Sequence, residues 1–390
     1  MREINLPARI LMGPGPSNVH PRVMQALSSP TVGHMDPTFI ELMDSTVELL
    51  REVFQTKNFL TLPVSGTGSA AMEAALGNIL EPGDTVIIGL NGFFGDRMSQ
   101  MASRWDVEVV LVEAEWGHII EPEAIGKELR RHKKVKLVAM VHAETSTGVL
   151  QPLEEIGKLA HEHGALYLVD TVASLAGCHI PVDEWGIDIC YSGSQKCLSC
   201  PPGIAPITLN DAAIQALDNR KSKVHSWYLD LSLIKYYWGT GRTYHHTAPI
   251  NMIYALREAL RVVLEEGLEN CFARHHRNGC ALRAGLEAMR LKFLAPESYR
   301  ADMITAVMVP DGVDGEGVRQ VLLNDFNIEI SGGLGPLKGK IWRVGLMGQS
   351  SKASNVLGFL TALEQILTKE GFEVPQSAGV NAANKILATS

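Results

Sequence analysis

No apolar run in this sequence of 390 residues approaches the length of a membrane-spanning helix. The opening, Met1-Arg2-Glu3-Ile4-Asn5-Leu6-Pro7, lacks the apolar core of a secretory leader. Basic residues are the minority: 35 Lys and Arg against 43 Asp and Glu leave a net charge of −8, no electrostatic footprint for nucleic acid or an anionic membrane. Cysteine is scarce as well, and six in a chain this long make no disulfide framework. Cys197 and Cys200 have Cys-x-x-Cys spacing, but Cys178, Cys190, Cys271 and Cys280 form no second pair of that kind, so buried free thiols are expected. The 13 histidines include no His-Glu-x-x-His run, and no metal site is expected. The final Ala-Thr-Ser matches no anchoring or peroxisomal signal. These absences together predict a cytoplasmic protein whose partners are neither nucleic acid nor membrane.

What is present is a long alternation. From Asp84 to Leu209, short continuous apolar runs (85–90, 107–112, 135–141, 166–169, 187–189 and 204–209) are separated by helical stretches such as 121–131 and 153–163. Runs that are apolar throughout, with helices between them, indicate a mostly parallel sheet covered on both faces, and hence an α/β fold. In such sheets ligands sit beyond the carboxyl ends of the strands. The chemically notable residues duly follow the runs: Phe93-Phe94, His142 to Gly148, Asp170, and Ser192 to Lys196. Helical spacing is clear at 37–53 and 252–266; between these last elements and the sheet, 228–238 reads as an aromatic packing loop. Beyond Gly267 the alternation resumes through residue 367, fitting a smaller α+β unit.

Four stretches carry chemistry. Pro63-Val64-Ser65-Gly66-Thr67-Gly68-Ser69 leads into the strongly helical Ala70 to Leu76, and free N–H groups at a helix start suit an anion such as phosphate. The stretch has no Gly-Lys-Ser/Thr, which argues against a nucleotide-binding loop, and no acidic residue is placed for a dinucleotide ribose, which argues against a nicotinamide-dependent dehydrogenase. Ser192-Gly193-Ser194-Gln195-Lys196, closed by Pro201-Pro202-Gly203, holds a lysine on a constrained loop between apolar runs. Desolvation there favours the neutral amine that condenses with an aldehyde. Asp170 ends a hydrophobic strand, and Arg343 lies in the β-like run 340–346, where a guanidinium is costly to bury without an anionic partner.

Val169-Asp170-Thr171-Val172-Ala173-Ser174 followed by Ser192-Gly193-Ser194-Gln195-Lys196 resembles the class V, fold-type I aminotransferases that use pyridoxal 5′-phosphate. The resemblance runs from Met12-Gly13-Pro14-Gly15-Pro16 to Trp342-Arg343-Val344-Gly345. It implies a seven-stranded, mostly parallel sheet in a large cofactor-binding domain (21–265), an N-terminal arm (1–20), a smaller α+β domain (266–372) and a tail (373–390). It implies that Lys196 carries the cofactor covalently and that Asp170 partners the cofactor's ring nitrogen. Gly68, Ser69 and Gln195 would hold the phosphate together with Thr247, which with Tyr244 would reach in from the other subunit of a homodimer. Phe94 and Val172 would pack on the two ring faces, Thr145 would lie near the ring, and Arg343 would bind the substrate carboxylate bidentately. Gly15 and His34 would border the substrate, a small amino acid or a 2-oxo acid.

Within that class the chain resembles the alanine–glyoxylate and serine–pyruvate enzymes, which transfer an amino group from alanine or serine to glyoxylate or pyruvate by a ping-pong mechanism. The ureidoglycine–glyoxylate branch lies close beside them. That branch typically has Gln where this chain has His34 and Asn where it has Tyr244. An amide pair complements a ureido group, and its loss here favours small neutral donors. A cysteine desulfurase would need a mobile cysteine loop, whereas Cys271 and Cys280 fall in a helical segment. A non-catalytic binding protein on the same fold would leave Lys196 and Asp170 unexplained.

Overall fold

A computed structural model of the chain describes residues 5–389, so the first four residues of the expected arm and the last residue of the expected tail lie outside it. The apolar runs form a seven-stranded sheet: β1 (Leu60–Ser65), β2 (Thr85–Leu90), β3 (Glu108–Glu113), β4 (Leu137–Val141), β5 (Leu166–Asp170), β6 (Ile189–Tyr191) and β7 (Ile204–Leu209). Their spatial order is β1-β7-β6-β5-β4-β2-β3, and β7 alone runs against the others. Every residue of β4 and of β7 is buried, the signature of a sheet covered on both faces. Parallel pairing places Asp170 between Val141 and Tyr191 at the carboxyl edge.

The helices that matter to that edge are few. Helix α1 (Pro37–Phe54) starts where the Asp36 carboxylate accepts the Thr38 N–H at 2.8 Å and stops where Gln55 turns left-handed. It buries Phe39, Met43, Val47, Leu50 and Val53, side chains worth about 1.5–3 kcal/mol each when removed from water. Helices α2 (Gly68–Ile79) and α3 (Phe93–Ala102) begin at the sheet's carboxyl edge, directly after β1 and β2. Residues 228–238, expected as a packing loop, instead hold helix α4 (Leu231–Trp238): Asp230 caps it by accepting the Ser232 N–H at 2.9 Å, and Tyr237 and Trp238 are buried while Tyr236 faces out. Helix α5 (Ile250–Glu266) is followed after Gly267 by α6 (Leu268–Ala288).

A second core gathers around a three-stranded antiparallel sheet of β8 (Ile304–Met308), β9 (Ser331–Gly332) and β10 (Ile341–Gly345), with α7 (Ala353–Lys369) packed on it. Two segments belong here that the sequence reading set apart. Residues 373–390, expected as a tail, carry α8 (Ala378–Ala388), which packs on α6 and α7 and buries Ala383. The expected N-terminal arm places Met12 fully inside the second core; Ile10–Leu11 pairs in parallel with Ile328–Glu329. Helix α6 joins the two units, with Cys271 in the first core and Leu282 and Leu286 in the second.

Candidate active site

The Lys196 loop leaves β6 at Tyr191 and returns to β7 at Ile204, and it is pinned from three sides. The Ser194 hydroxyl donates to the Pro201 carbonyl at 2.7 Å within the loop. From the arm, the Ser17 hydroxyl donates to the Lys196 carbonyl at 2.7 Å and the Ser17 N–H to the Gln195 carbonyl at 2.9 Å. From the far side, the Gln349 N–H donates to the Ser199 hydroxyl at 2.7 Å. Lys196 itself is only 8% exposed, and its Nζ donates to the Pro14 carbonyl. Gly15, at φ 102°, has to be glycine, because a Cβ there would run into the lysine side chain. Burial pulls the Lys196 amine down to about 8; Cys197 and Asp170 oppose this, while Arg343 and Arg97 add to it.

Asp170 accepts the Val172 N–H on Oδ1 and the Tyr191 hydroxyl on Oδ2, each at 2.8 Å. Burial nevertheless pushes its carboxyl up to about 6, against the pull of those two donors. Between Asp170 and Lys196 opens a cleft of about 170 Å³, lined also by Gly68, Ser69, Phe94, Thr145, Val172 and Gln195. Helix α2 opens onto it with Thr67 as its cap and no side-chain hydrogen bond there, which leaves its first N–H groups available to an anion. Gly68 is close against Val172: an added Cβ would lie 3.0 Å from Cγ2.

Arg343, 6% exposed, donates from Nε to the Gly332 carbonyl at 2.7 Å and from Nη1 to the Thr145 carbonyl at 3.3 Å. Among the described residues no carboxylate holds it, and burial lowers its guanidinium to about 10, with Glu144 opposing. Glu144, singled out in the sequence only as part of the stretch 142–148 and given no role there, organises this wall. It is fully buried and accepts the Phe94 N–H (2.9 Å) and Gly95 N–H (3.3 Å) on one oxygen, and the Ser146 N–H (3.0 Å) and hydroxyl (2.6 Å) on the other. The Ser146 hydroxyl in turn accepts the Phe93 N–H at 2.9 Å. One turn of chain thus caps α3, fixes Phe94, and offers through Thr145 a hold on Arg343. Arg97, also missed, lines the cleft one helical turn beyond Phe94.

Of the expected residues, Gly15 and Arg343 touch the lining residues Lys196 and Thr145 without lining the cleft themselves, and three others are elsewhere. His34, Tyr244 and Thr247 do not line the cleft of their own chain. They form a separate surface group: the His34 and Tyr244 rings lie 5.0 Å apart, and the Tyr244 and Thr247 hydroxyls 3.4 Å apart. Cys197 and Cys200 are buried thiols that burial pushes up to about 12, so their spacing carries no redox chemistry. His276, Cys280 and Asp302 approach one another, but Arg283 donates to both Asp302 (2.8 Å) and Cys280 (3.3 Å), a cation where a metal ion would have to sit.

The cleft suits a phosphorylated aldehyde. An uncapped helix start faces it, and a desolvated amine and a buried carboxylate both line it. Residues 11–343 match the aminotransferase class V family, and the chain belongs to it. It is a pyridoxal-phosphate-dependent aminotransferase. Its structure is similar to that of an alanine–glyoxylate aminotransferase from Nostoc sp., with TM-score 0.92 and 51% identity over 94% of this chain and 97% of that one. It is similar as well to the ureidoglycine–glyoxylate aminotransferase of Bacillus subtilis, with TM-score 0.97 and 44% identity over 99% and 100%. The mouse alanine–glyoxylate aminotransferase is 42% identical over 94% of this chain and 89% of its own. Relatives of both kinds support transamination with glyoxylate.

Proposed function

We propose that the enzyme transfers the amino group of a small neutral amino acid, alanine or serine, to glyoxylate or pyruvate. Bound pyridoxal phosphate supplies an aldehyde and an electron-withdrawing ring. Lys196 contributes the amine that holds the cofactor and then carries the proton to and from the substrate Cα. Asp170 keeps the ring nitrogen protonated, with Tyr191 and Val172 fixing the carboxylate. Phe94 and Val172 confine the ring, and Gly68, Ser69 and Gln195 take the phosphate. Arg343 orients the substrate carboxylate, its two backbone contacts setting the fork in place.

The observation that carries the choice of donor is the contact between His34 and Tyr244. These two positions separate the resembling branches, and here they touch, so they act as one recognition element without the amide pair suited to a ureido group. Because the pair is on the surface with Thr247, it serves a neighbouring subunit's cleft. Exposed aromatics around it, Trp227 (60%), Tyr236 (55%) and Tyr244 (56%), support a homodimer with shared sites. Gly15 beside Lys196 completes the substrate's border. A cytoplasmic home fits six cysteines that are all free thiols.

The test is a matrix of donors (alanine, serine, ureidoglycine) against acceptors (glyoxylate, pyruvate). Alanine or serine is expected to exceed ureidoglycine in kcat/KM by about tenfold or more. Ureidoglycine ahead of both would overturn this reading in favour of the branch to which the Bacillus subtilis enzyme belongs.

A further inference from the structure

A phosphate monoester carries a charge of about −1.5 to −2 at neutral pH. The groups expected to hold it, Gly68, Ser69, Gln195 and Thr247, are all neutral. Two cations line the cleft, Lys196 and Arg97, and Lys196 gives up its free amine to the cofactor; Arg343, next to the lining residue Thr145, is directed at the Thr145 and Gly332 carbonyls on the wall assigned to the substrate carboxylate.

Arg97 remains. It lies on α3, three residues after Phe94, and lines the cleft together with Ser69. Its Nη1 donates to the Ser69 hydroxyl at 3.2 Å, its only hydrogen bond, and no carboxylate among the described residues pairs with it. A guanidinium has five N–H donors, so most of its capacity is unused. Two rings hold it in place: its central carbon is 4.8 Å from the Phe94 centroid and 5.2 Å from that of Phe93. The same α3 start is fastened by Glu144 and Ser146, so the cation's position is built into the fold. A half-buried arginine with spare donors, bonded to the first turn of an uncapped helix, is the complement of a dianion.

We propose that Arg97 is the cationic anchor of the cofactor's phosphate group. The assignment rests on the phosphate being held at Gly68 and Ser69. Pyridoxamine 5′-phosphate and pyridoxamine differ only in that group, and neither bonds covalently to Lys196, so calorimetric titration of the full-length apoprotein with each isolates it. Arg97→Met is expected to weaken pyridoxamine phosphate by about tenfold to a hundredfold while leaving pyridoxamine within about twofold. Arg97→Lys, which keeps the charge without the fork, should fall between. Equal losses for both ligands would mean that Arg97 acts only through the Phe94 stack, and no loss would mean no contact; either overturns the proposal. Ser69→Asp, which sets a like charge at the helix start, separates the two levels. If it discriminates between the ligands and Arg97→Met does not, only the arginine assignment falls. If neither discriminates, the phosphate is not held at Gly68–Ser69.

Discussion

The Tyr191 hydroxyl donates to Asp170 Oδ2 at 2.8 Å, a contact set by the pairing of β5 with β6. Two donors do not offset the loss of water, and the buried carboxyl titrates at about 6 instead of 3.8. Between those values the folded apoprotein binds more protons than the unfolded chain, so its stability falls as pH rises through that window. The cost above it is roughly 3 kcal/mol. Asp170→Asn removes this titration. Its apoprotein is expected to melt higher than the parent at pH 8 but not at pH 4, while transamination falls by about a hundredfold or more. A variant that melts lower than the parent by the same margin at both pH values would show that the buried charge carries no such cost.

Lys196 shifts the opposite way. Its amine titrates near 8 in the fold, below the 10.5 of an ordinary lysine, so the folded state binds fewer protons between those values and apoprotein stability rises with pH across them. The rate at which the apoprotein captures pyridoxal phosphate covalently, followed by absorbance in a stopped-flow instrument, is expected to climb to about pH 8 and then level off. A climb continuing to pH 10 would contradict a desolvated amine. Lys196→Ala should abolish both capture and transamination, since no other lysine lines the cleft among the described residues.

Arg343→Ala is expected to raise KM for both the amino acid and the 2-oxo acid by about tenfold to a hundredfold, because both carry a carboxylate. The drop in kcat should be smaller, reflecting orientation alone. Unchanged KM values would remove Arg343 from the substrate site.

If the proposed dimer shares its sites, two defective chains can complement each other. A chain with Lys196→Ala lacks the amine, and one with Thr247→Arg spoils the neighbour's phosphate site. In a mixed dimer both lesions can fall in one site and leave the other whole. Two inactive, folded parents should therefore regain activity on subunit exchange. Exchange proven by mass spectrometry with no activity restored would rule out the shared site.

The sheet was legible because its strands are buried on both faces, so their apolar runs are continuous; 85–90 and 204–209 match the observed strands to the residue. Where polar atoms pair inside, the pattern misleads. The run 187–189 preceded the true strand Ile189–Tyr191 because Asp188 is buried, accepting the Tyr167 N–H at 2.6 Å. Lys196, Asp170 and Arg343 were readable as polar groups stranded in apolar or rigid surroundings. Glu144 was not, since the donors that define it include N–H groups on a helix some fifty residues earlier. Arg97 lies among Asp96, Ser99 and Gln100, which read as an ordinary solvated helix face. The aromatic stretch 228–238 gave no regular helical stripe, since two of its large rings point inward and others outward.

The arm that touches the reactive lysine is made before the sheet that carries that lysine. Part of its resting place, however, comes from much later in the chain: Ile10 and Leu11 pair with Ile328 and Glu329, and the Met12 carbonyl accepts the Gly345 N–H at 2.6 Å. During synthesis the large sheet can assemble while Pro14 and Gly15 are held against Lys196 only through the lysine loop itself, by its contacts to Ser17 and Pro14. The arm therefore gains its second anchorage only after residue 345 has left the ribosome, and a nascent chain stalled before that point would have its lysine covered by an arm fastened at one end.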